Sequence, residues 1–364
     1  MLLLTTLLGL TRLALPPDSV PKRVALIPLP LVYYTPETRL AYGAALAATV
    51  RFRRDAAYPD ARPSQLTFGV AYTQNKQLLL YLPFQLFYDR NNYYAYGELG
   101  YYRYNYYFYG VGENQGPREL YGVNFPRIRL NAFRRVVPGW VRGKLYAGLR
   151  YQWEDYDVTS VESGGLLESG AVPGGRGSRV AGGGLGVFFD SRDNVFFPTK
   201  GVVADLSLLV RNRAAETGPT PRTTHFDRYA VDVSSYHRLH KHAVLAVNYL
   251  ASFTNGSAPF NALSSLGGTR RLRGYYEGRY RDRNAALLQG EVRFDVYRRL
   301  GAVVFGGVGA LGNEQQLLRL DRPKTAYGGG LRFTLNRRDH LNLRLDYGLG
   351  RESSGFYLTL GEAF

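Results

Sequence analysis

One segment of the sequence concentrates residues that can bind carboxylates or other anions. Residues 266–284 contain six arginines, three tyrosines and four glycines. Arginine presents a rigid fork that binds a carboxylate through two parallel hydrogen bonds, and glycine permits tight backbone bends. If the segment turns inward, Arg273 is expected to meet Glu291, Asp295 or Asp346. If it stays outside, it is an exposed basic loop on an anionic surface.

The chain offers little for enzymatic or metal chemistry. It has no cysteine, which excludes a disulfide scaffold, a thiolate metal site and a cysteine nucleophile. Neither a G-x-S-x-G elbow nor an H-E-x-x-H motif occurs. His237, His240 and His242 are expected to lie at a polar turn between strands, and Ser234 or Ser235 beside His237 is the weak alternative of a lipase-type pair. We therefore expect no catalytic residues, no metal and no cofactor.

A net charge of +17 is typical of proteins that bind nucleic acid or an anionic membrane surface. The basic residues are dispersed, and no zinc-finger spacing or helix-turn-helix pattern accompanies them, so nucleic acid is not expected as a partner. Residues 307–312 fit G-x-G-x-x-G, but they lie in a strand-like run without the following helix that phosphate binding needs.

The elements that must position these residues are β-strands, because apolar and polar residues alternate along most of the chain. The alternation is clear at residues 202–210, 291–296 and 341–347. A soluble sandwich would bury the apolar face, whereas a membrane barrel would turn it toward lipid. Strands of about ten residues or more and tyrosine clusters near strand ends favour a transmembrane antiparallel β-barrel.

The alternating segments number sixteen, an even count typical of bacterial single-chain barrels. The first segment contains Pro28 and Pro30, which cannot donate to a ladder, so it is expected at an edge or at the closure seam. The predicted strands are 28–35, 39–53, 63–75, 77–88, 91–106, 121–135, 142–157, 178–190, 200–212, 225–237, 242–254, 284–298, 300–311, 326–337, 340–350 and 354–364.

Both ends of the chain suggest export to an outer membrane. Residues 1–20 include an apolar stretch of signal-peptide length, although it lacks a basic start and a clear cleavage site. We expect the barrel to occupy 24–364 as one domain. The last strand ends on an aromatic residue, and such a strand is the signal that assembly machinery reads. Its residues of one parity are Phe356, Leu358, Leu360 and Phe364.

Two motifs resemble the BamA/TamA superfamily of outer-membrane proteins, also called the bacterial surface antigen family. The first is similar to the V-R-G-F/Y motif of that family's inward-folded sixth loop and comprises Leu272, Arg273, Gly274 and Tyr275. The second is similar to its D-x-R-D…P…G strand connection and comprises Asp190, Arg192, Asp193, Pro198 and Gly201. The opening and closing segments, 28–43 and 341–364, resemble its barrel ends, so the resemblance covers nearly the whole chain.

The resemblance implies a sixteen-stranded barrel in the outer membrane of a Gram-negative bacterium, with the arginine loop after strand eleven. Gly307 stands where many members have an aspartate that pairs with the loop arginine, so we expect Glu291 as the partner and Asp346 next. Asp295 and Arg344 are further lumenal candidates.

The same resemblance implies a role in membrane insertion or passage of proteins, or in envelope organisation. Too few residues precede the barrel for the periplasmic POTRA domains of full members. A separate periplasmic or secreted protein partner is therefore expected, alongside outer-membrane lipid and lipopolysaccharide. A passive pore or structural barrel is the alternative.

Overall fold

The computed structural model describes residues 24–55, 58, 61–112, 116–136, 143–214, 223–318, 322–336 and 341–364. The predicted signal peptide at residues 1–20 lies outside them. Sixteen strands close into an antiparallel barrel, and two short strands pair inside one loop. Eleven barrel strands precede that loop and five follow it, which confirms the fold predicted from the sequence. No helix among the described residues is long and apolar enough to span a membrane.

The strand bounds match the alternating segments of the sequence closely. They are β1 Val24–Thr35, β2 Arg39–Val50, β3 Ser64–Thr73, β4 Leu78–Tyr88, β5 Tyr93–Phe108, β6 Glu119–Arg135, β7 Lys144–Val161, β8 Gly177–Asp190, β9 Gly201–Ala214, β10 Thr224–His240, β11 Ala243–Gly256, β12 Ser264–Leu266, β13 Tyr280–Asp282, β14 Asn284–Tyr297, β15 Leu300–Gly312, β16 Lys324–Asn336, β17 Leu341–Gly350 and β18 Ser353–Leu360. One short helix, α1, spans Glu314–Leu318.

The two faces of the wall follow the period of two. Outward positions such as Leu206 and Leu345 are exposed, while their neighbours Arg344 and Asp346 are buried inside. Much of the interior is aromatic: Tyr102, Phe125 and Tyr156 form one stack, with ring centroids 5.0 and 5.2 Å apart. The lumen is therefore partly filled by side chains of the wall.

The connections at the two ends of the barrel differ in length. The end that carries Val24 and Phe364 has two-residue turns after β10 and β14, whereas the opposite end carries the 27-residue connection 257–283. We call 257–283 the arginine loop. Outer-membrane barrels place short turns in the periplasm and long loops outside the cell, which makes the arginine-loop end extracellular.

Barrel closure between β1 and β18 is the weakest strand pairing in the described structure. The two strands share one registered pair, Tyr34 with Leu358, whereas β1 pairs with β2 at every residue from Val24 to Thr35. Backbone N–H groups two residues apart point to the same side of a strand, so Pro28 and Pro30 remove donors from one edge of β1. The sequence placed this strand at an edge or at the closure seam, and β1 is one of the two seam strands.

The prediction that the last strand continues to Phe364 is wrong. Strand β18 ends at Leu360, and the chain turns at Gly361, whose φ of 77° suits glycine. Phe356 is exposed on the outward face, whereas Leu358 and Leu360 are half-buried. Phe364 is only 9% exposed and packs inside the barrel beside Tyr236. It therefore does not share the lipid-facing row of the strand.

Candidate functional site

The arginine loop folds into the lumen as a hairpin. Strands β12 and β13 pair from Ser264–Asp282 to Leu266–Tyr280 and bring the two arms together. The intervening residues descend between the walls of β14 to β18. Leu272 and Tyr275, at the hairpin's inner end, are almost completely buried together with Leu266 and Leu287. Apolar packing and the short ladder therefore fix the position of Arg273 between them.

Arg273 is 2% exposed and contacts two carboxylates of the barrel wall. Its Nη2 donates to Glu291 Oε2 at 2.5 Å, and its Nη1 donates to Asp346 Oδ2 at 2.6 Å. The guanidinium also lies 3.6 Å from the ring centroid of Phe305. Its charge is thus held by two ion pairs on different strands and by one aromatic face.

The carboxylates that receive Arg273 belong to a larger buried ion network. Glu291 also accepts a hydrogen bond from Arg293 at 2.7 Å, and Asp346 accepts one from Arg332 at 2.6 Å. Arg344 Nε lies 3.5 Å from Asp346. Each carboxylate therefore faces more than one guanidinium, so the network compensates charges that would be costly if buried alone.

The chain's last residues join this network from the periplasmic end. Glu362 accepts a hydrogen bond from Arg332 at 2.8 Å and another from Asn342 at 2.8 Å. Arg293 Nη2 donates to the Phe364 backbone oxygen at 2.9 Å, and Arg270 Nε of the loop donates to the Ala363 carbonyl at 2.7 Å. Residues 361–364, which we call the tail, thus contact both the wall and the arginine loop.

The residues around Arg273 have distinct positioning roles. Gly274 has a φ of 118°, and a Cβ there would lie 2.8 Å from the backbone of Leu349, so only glycine allows the loop to approach β17 this closely. The Tyr275 hydroxyl donates to the Thr325 carbonyl at 2.8 Å and accepts from the Arg351 amide at 2.7 Å. Leu272 donates its N–H to Gln289 Oε1 at 3.1 Å.

The arginine loop also contacts both sides of the seam. On the β18 side, Tyr357 Oη accepts from the Gly274 amide at 3.0 Å, and Ser353 Oγ donates to the Gly274 carbonyl at 2.7 Å. On the β1 side, Glu37 in the β1–β2 turn accepts from the Glu277 amide at 2.7 Å. Burial, with the nearby charge of Glu277, raises the pKa of Glu37 to about 7.

The structure brings together most, but not all, of the predicted lumenal residues. Glu291, Asp346 and Arg344 lie within the buried network around Arg273. Asp295 lies apart from this network, because it is exposed at the periplasmic end of β14. The β14–β15 register shifts between Asp295 and Tyr297, next to the two-residue turn that joins these strands.

The predicted connection motif forms the β8–β9 link at the periplasmic end. Arg192 binds the Asp190 carboxylate with two side-chain hydrogen bonds of 2.9 and 3.1 Å. Asp193 Oδ1 accepts from the backbone amides of Asn194, Thr199 and Lys200. Pro198 is buried, and Gly201 has a φ of 103° with the Ser191 carbonyl 2.3 Å from where a Cβ would stand. These contacts hold the turn itself, and Phe197 within the link lies 5.6 Å from the guanidinium carbon of Arg293 in the arginine network.

Three residues of the network were not identified from the sequence. Arg332 and Glu362 bridge the wall and the tail, and Phe305 covers the Arg273 guanidinium. The alternation of residues in β16 does indicate that the side chain of Arg332 points inward. No sequence pattern indicated that residues after Leu360 turn inward, so Glu362 had no identifiable partner.

Two features bear on the enzymatic and metal alternatives. His237 Nε2 and Ser235 Oγ lie 3.2 Å apart on an exposed face of β10. No third group is seen to orient that histidine in the described chain. Within the same ranges, no three residues of His, Cys, Asp or Glu come together in a way that would hold a metal ion.

This architecture defines a class: a closed sixteen-strand barrel whose long arginine loop is anchored to buried carboxylates of its wall. Comparison with protein-family models identifies the family within it. The Omp85 superfamily domain matches residues 30–364, and the chain belongs to that superfamily. The protein is therefore located in the outer membrane of a Gram-negative bacterium.

Three solved structures with the same fold are two CdiB proteins and one BamA. CdiB from Escherichia coli has a TM-score of 0.61 at 13% identity, covering 95% of this chain and 64% of that chain. CdiB from Acinetobacter baumannii has a TM-score of 0.57 at 16% identity, covering 94% and 60%. BamA from Haemophilus ducreyi lacking POTRA domains 1–3 has a TM-score of 0.56 at 13% identity, covering 93% and 70%. No curated protein matches the sequence.

Proposed function

We propose that this barrel acts on other proteins at the outer membrane, by assisting their insertion or passage, through separation of its β1–β18 seam. The observation that carries the proposal is the seam itself, with its single registered pair. Every other barrel ladder in the described structure has several pairs, and a ladder hydrogen bond contributes about 1 kcal/mol. The seam is therefore the least costly place for the wall to open.

The edge exposed by such an opening is suited to binding another strand. The β1 edge carries unpaired backbone groups, and an unpaired edge is a template for strand addition. Pro28 and Pro30 limit how firmly β18 or a guest strand can pair there. The arginine loop spans the extracellular end of the seam, through Tyr357 on one side and Glu37 on the other. We infer that the loop restrains the opening.

The test is a disulfide that locks the seam. Tyr34 and Leu358 are directly opposite, at a spacing that a disulfide can bridge. The chain has no other cysteine, so Tyr34→Cys with Leu358→Cys gives a unique bond. The matched control is Leu82→Cys with Leu99→Cys, across the β4–β5 ladder.

The assay measures how fast an unfolded eight-stranded barrel protein folds into vesicles that contain each variant. We expect oxidation to abolish acceleration by the seam variant, reduction to restore it, and the control to accelerate in both states. Full acceleration by the oxidised seam variant would show that the seam is not used.

A passive pore is the second candidate, because the lumen encloses a cavity of about 860 Å³ lined by charged residues. A pore would conduct equally with the seam locked or free, and would not accelerate folding. We further propose that the protein is not an enzyme and that it works with a separate periplasmic or secreted protein. Co-purification of such a protein with the intact barrel tests the latter point.

A further inference from the structure

The lumenal cavity has one wall rich in arginines without carboxylate partners. Arg129 on β6, Arg211 on β9 and Arg228 on β10 line it, and Arg271 of the arginine loop faces them. In the described chain no carboxylate oxygen lies within ion-pair distance of these four guanidinium groups. Arg228 is close enough to the other three for their positive charges to repel one another. This wall is distinct from the network around Arg273 and lies across the barrel from the seam.

Arg211 is the least satisfied of these residues. It is 6% exposed, and its Nε and Nη2 are buried without a hydrogen-bond partner among the described residues. Its guanidinium carbon lies 4.5 Å from the centroid of the Phe226 ring, which gives a cation–π contact. A buried guanidinium without acceptors is costly, so an acceptor from outside the chain, either water or a ligand, would stabilise it.

The sheet register shows how these side chains converge. Arg129, Gln152, Gly182 and Arg211 stand in one cross-strand row over β6 to β9. A Cβ at Gly182 would lie 2.7 Å from Arg211 Cγ, so the Arg211 side chain leans across this glycine toward β7 and β6. Arg228 is a diagonal neighbour of Arg211, since Arg211 pairs with Phe226. The glycine therefore makes room for the arginines to face one cavity.

The nearby carboxylates are already engaged elsewhere. Glu154 accepts a 2.7 Å hydrogen bond from Arg127, and Glu98 accepts one of 2.6 Å from Tyr102. Asp232 accepts from Asn248 at 2.7 Å. None of these three carboxylates forms an ion pair with the arginine wall, although Glu98 and Glu154 attract Arg129 from a longer distance.

We propose that this wall binds the phosphate group of a phosphate monoester, with Arg211 and Arg228 as its principal ligands. Guanidinium forks match phosphate oxygens in bidentate geometry. The volume of about 860 Å³ exceeds what a free phosphate needs and lies in the usual range for small-molecule sites. The adjoining aromatic stack of Tyr102, Phe125 and Tyr156 offers an apolar surface to the rest of the ligand. The phosphate comes either from a small soluble ester or from a phosphorylated membrane glycolipid.

The first experiment titrates the purified full chain in neutral detergent with inorganic phosphate and with glucose 1-phosphate, at constant ionic strength. We expect saturable binding of at least one of them, or of the glycolipid probe below. Arg211→Gln with Arg228→Gln should weaken it by at least about tenfold. The matched control removes two exposed arginines, Arg118→Gln with Arg351→Gln, and should leave the affinity unchanged. Heat-modifiable gel migration verifies that each variant remains a folded barrel, and Arg211→Lys gives a conservative second variant.

The second experiment separates the two sources of phosphate. Bisphosphorylated lipid A and its dephosphorylated form are titrated in the same detergent. Binding of the soluble phosphates without lipid A assigns the site to soluble esters, and phosphate-dependent binding of lipid A alone assigns it to the glycolipid. Failure of every phosphate to bind the wild type would overturn the proposal, as would equal effects of the lumenal and control variants. Neither outcome bears on the seam, which the disulfide test examines separately.

Discussion

Replacing Arg273 with alanine tests how firmly the arginine loop is held in the lumen. The side chain makes two charge-assisted hydrogen bonds, each contributing about 1.5–3 kcal/mol, and one cation–π contact of about 0.5–2 kcal/mol. The loss is less than the sum, because Glu291 keeps Arg293 and Asp346 keeps Arg332. We expect a net weakening of loop docking by about 3 kcal/mol, which corresponds to roughly 100-fold in the docking equilibrium.

Hydrogen exchange of the loop backbone in the folded barrel measures this equilibrium directly. Amides of residues 270–278 should exchange roughly 100-fold faster in Arg273→Ala, while those of β3 to β10 keep their protection. Arg351→Ala, at an exposed turn of the same end, is the matched control and should change nothing. Loop exchange within threefold of the wild type would refute the view that the arginine network anchors the loop.

A reversed ion pair distinguishes a network from a single salt bridge. Exchanging the charges by Arg273→Glu with Glu291→Arg would restore docking if only these two residues interacted. In the structure the new carboxylate at 273 would face Asp346, and the new guanidinium at 291 would face Arg293. Rapid loop exchange should therefore persist in the double variant, and a recovery to wild-type protection would contradict the shared network.

Two further predictions concern the seam turn and the lipid-facing wall. The pKa of Glu37 in the folded protein is raised to about 7, so ionisation of this carboxyl opposes folding. The contribution of Glu37 to the free energy of unfolding is therefore most favourable below the ordinary pKa of a glutamate, and it weakens as the pH rises toward 7. The midpoint of thermal unfolding should fall between pH 4.5 and 7 by more in the wild type than in Glu37→Gln, and equal slopes would contradict this. Leu206→Arg should lower the free energy of unfolding by about 2–4 kcal/mol if Leu206 lies near the bilayer midplane. The control Ser207→Arg, at an inward position, should lower it by less. Equal losses in denaturant titrations would show that the two faces of the wall are misassigned.

The barrel could be predicted from the sequence because the alternation of apolar and polar residues applies to every strand. With lipid outside and a polar lumen inside, each residue's side of the wall follows from its parity. That rule placed Glu291 and Asp346 inward and Leu206 and Leu345 outward, and it located the strands to within a few residues. Two prolines in β1 indicated the seam, because a residue without an N–H belongs at an unpaired edge.

Parity is a weaker guide where a strand stops. Asp295 has the inward parity of Glu291, but it is exposed at the end of β14 and lies apart from the buried network. Phe364 has the outward parity of Phe356, but Gly361 turns the chain before it is reached. The glycine and the acidic Glu362 were visible in the sequence. The inward turn of the tail could not be predicted from them, because Glu362 binds Arg332 and Asn342, which only the folded barrel brings together at the periplasmic end of the lumen.

The tail and the arginine loop are connected by consecutive ion pairs. Glu362 binds Arg332, Arg332 binds Asp346, and Asp346 binds Arg273. The tail continues directly from β18, so any movement of β18 away from β1 displaces Glu362 relative to this chain of contacts. Tyr357, on the same strand, simultaneously holds Gly274 of the loop. We therefore propose that opening of the seam would strain the loop through these contacts, so that a docked loop opposes the opening.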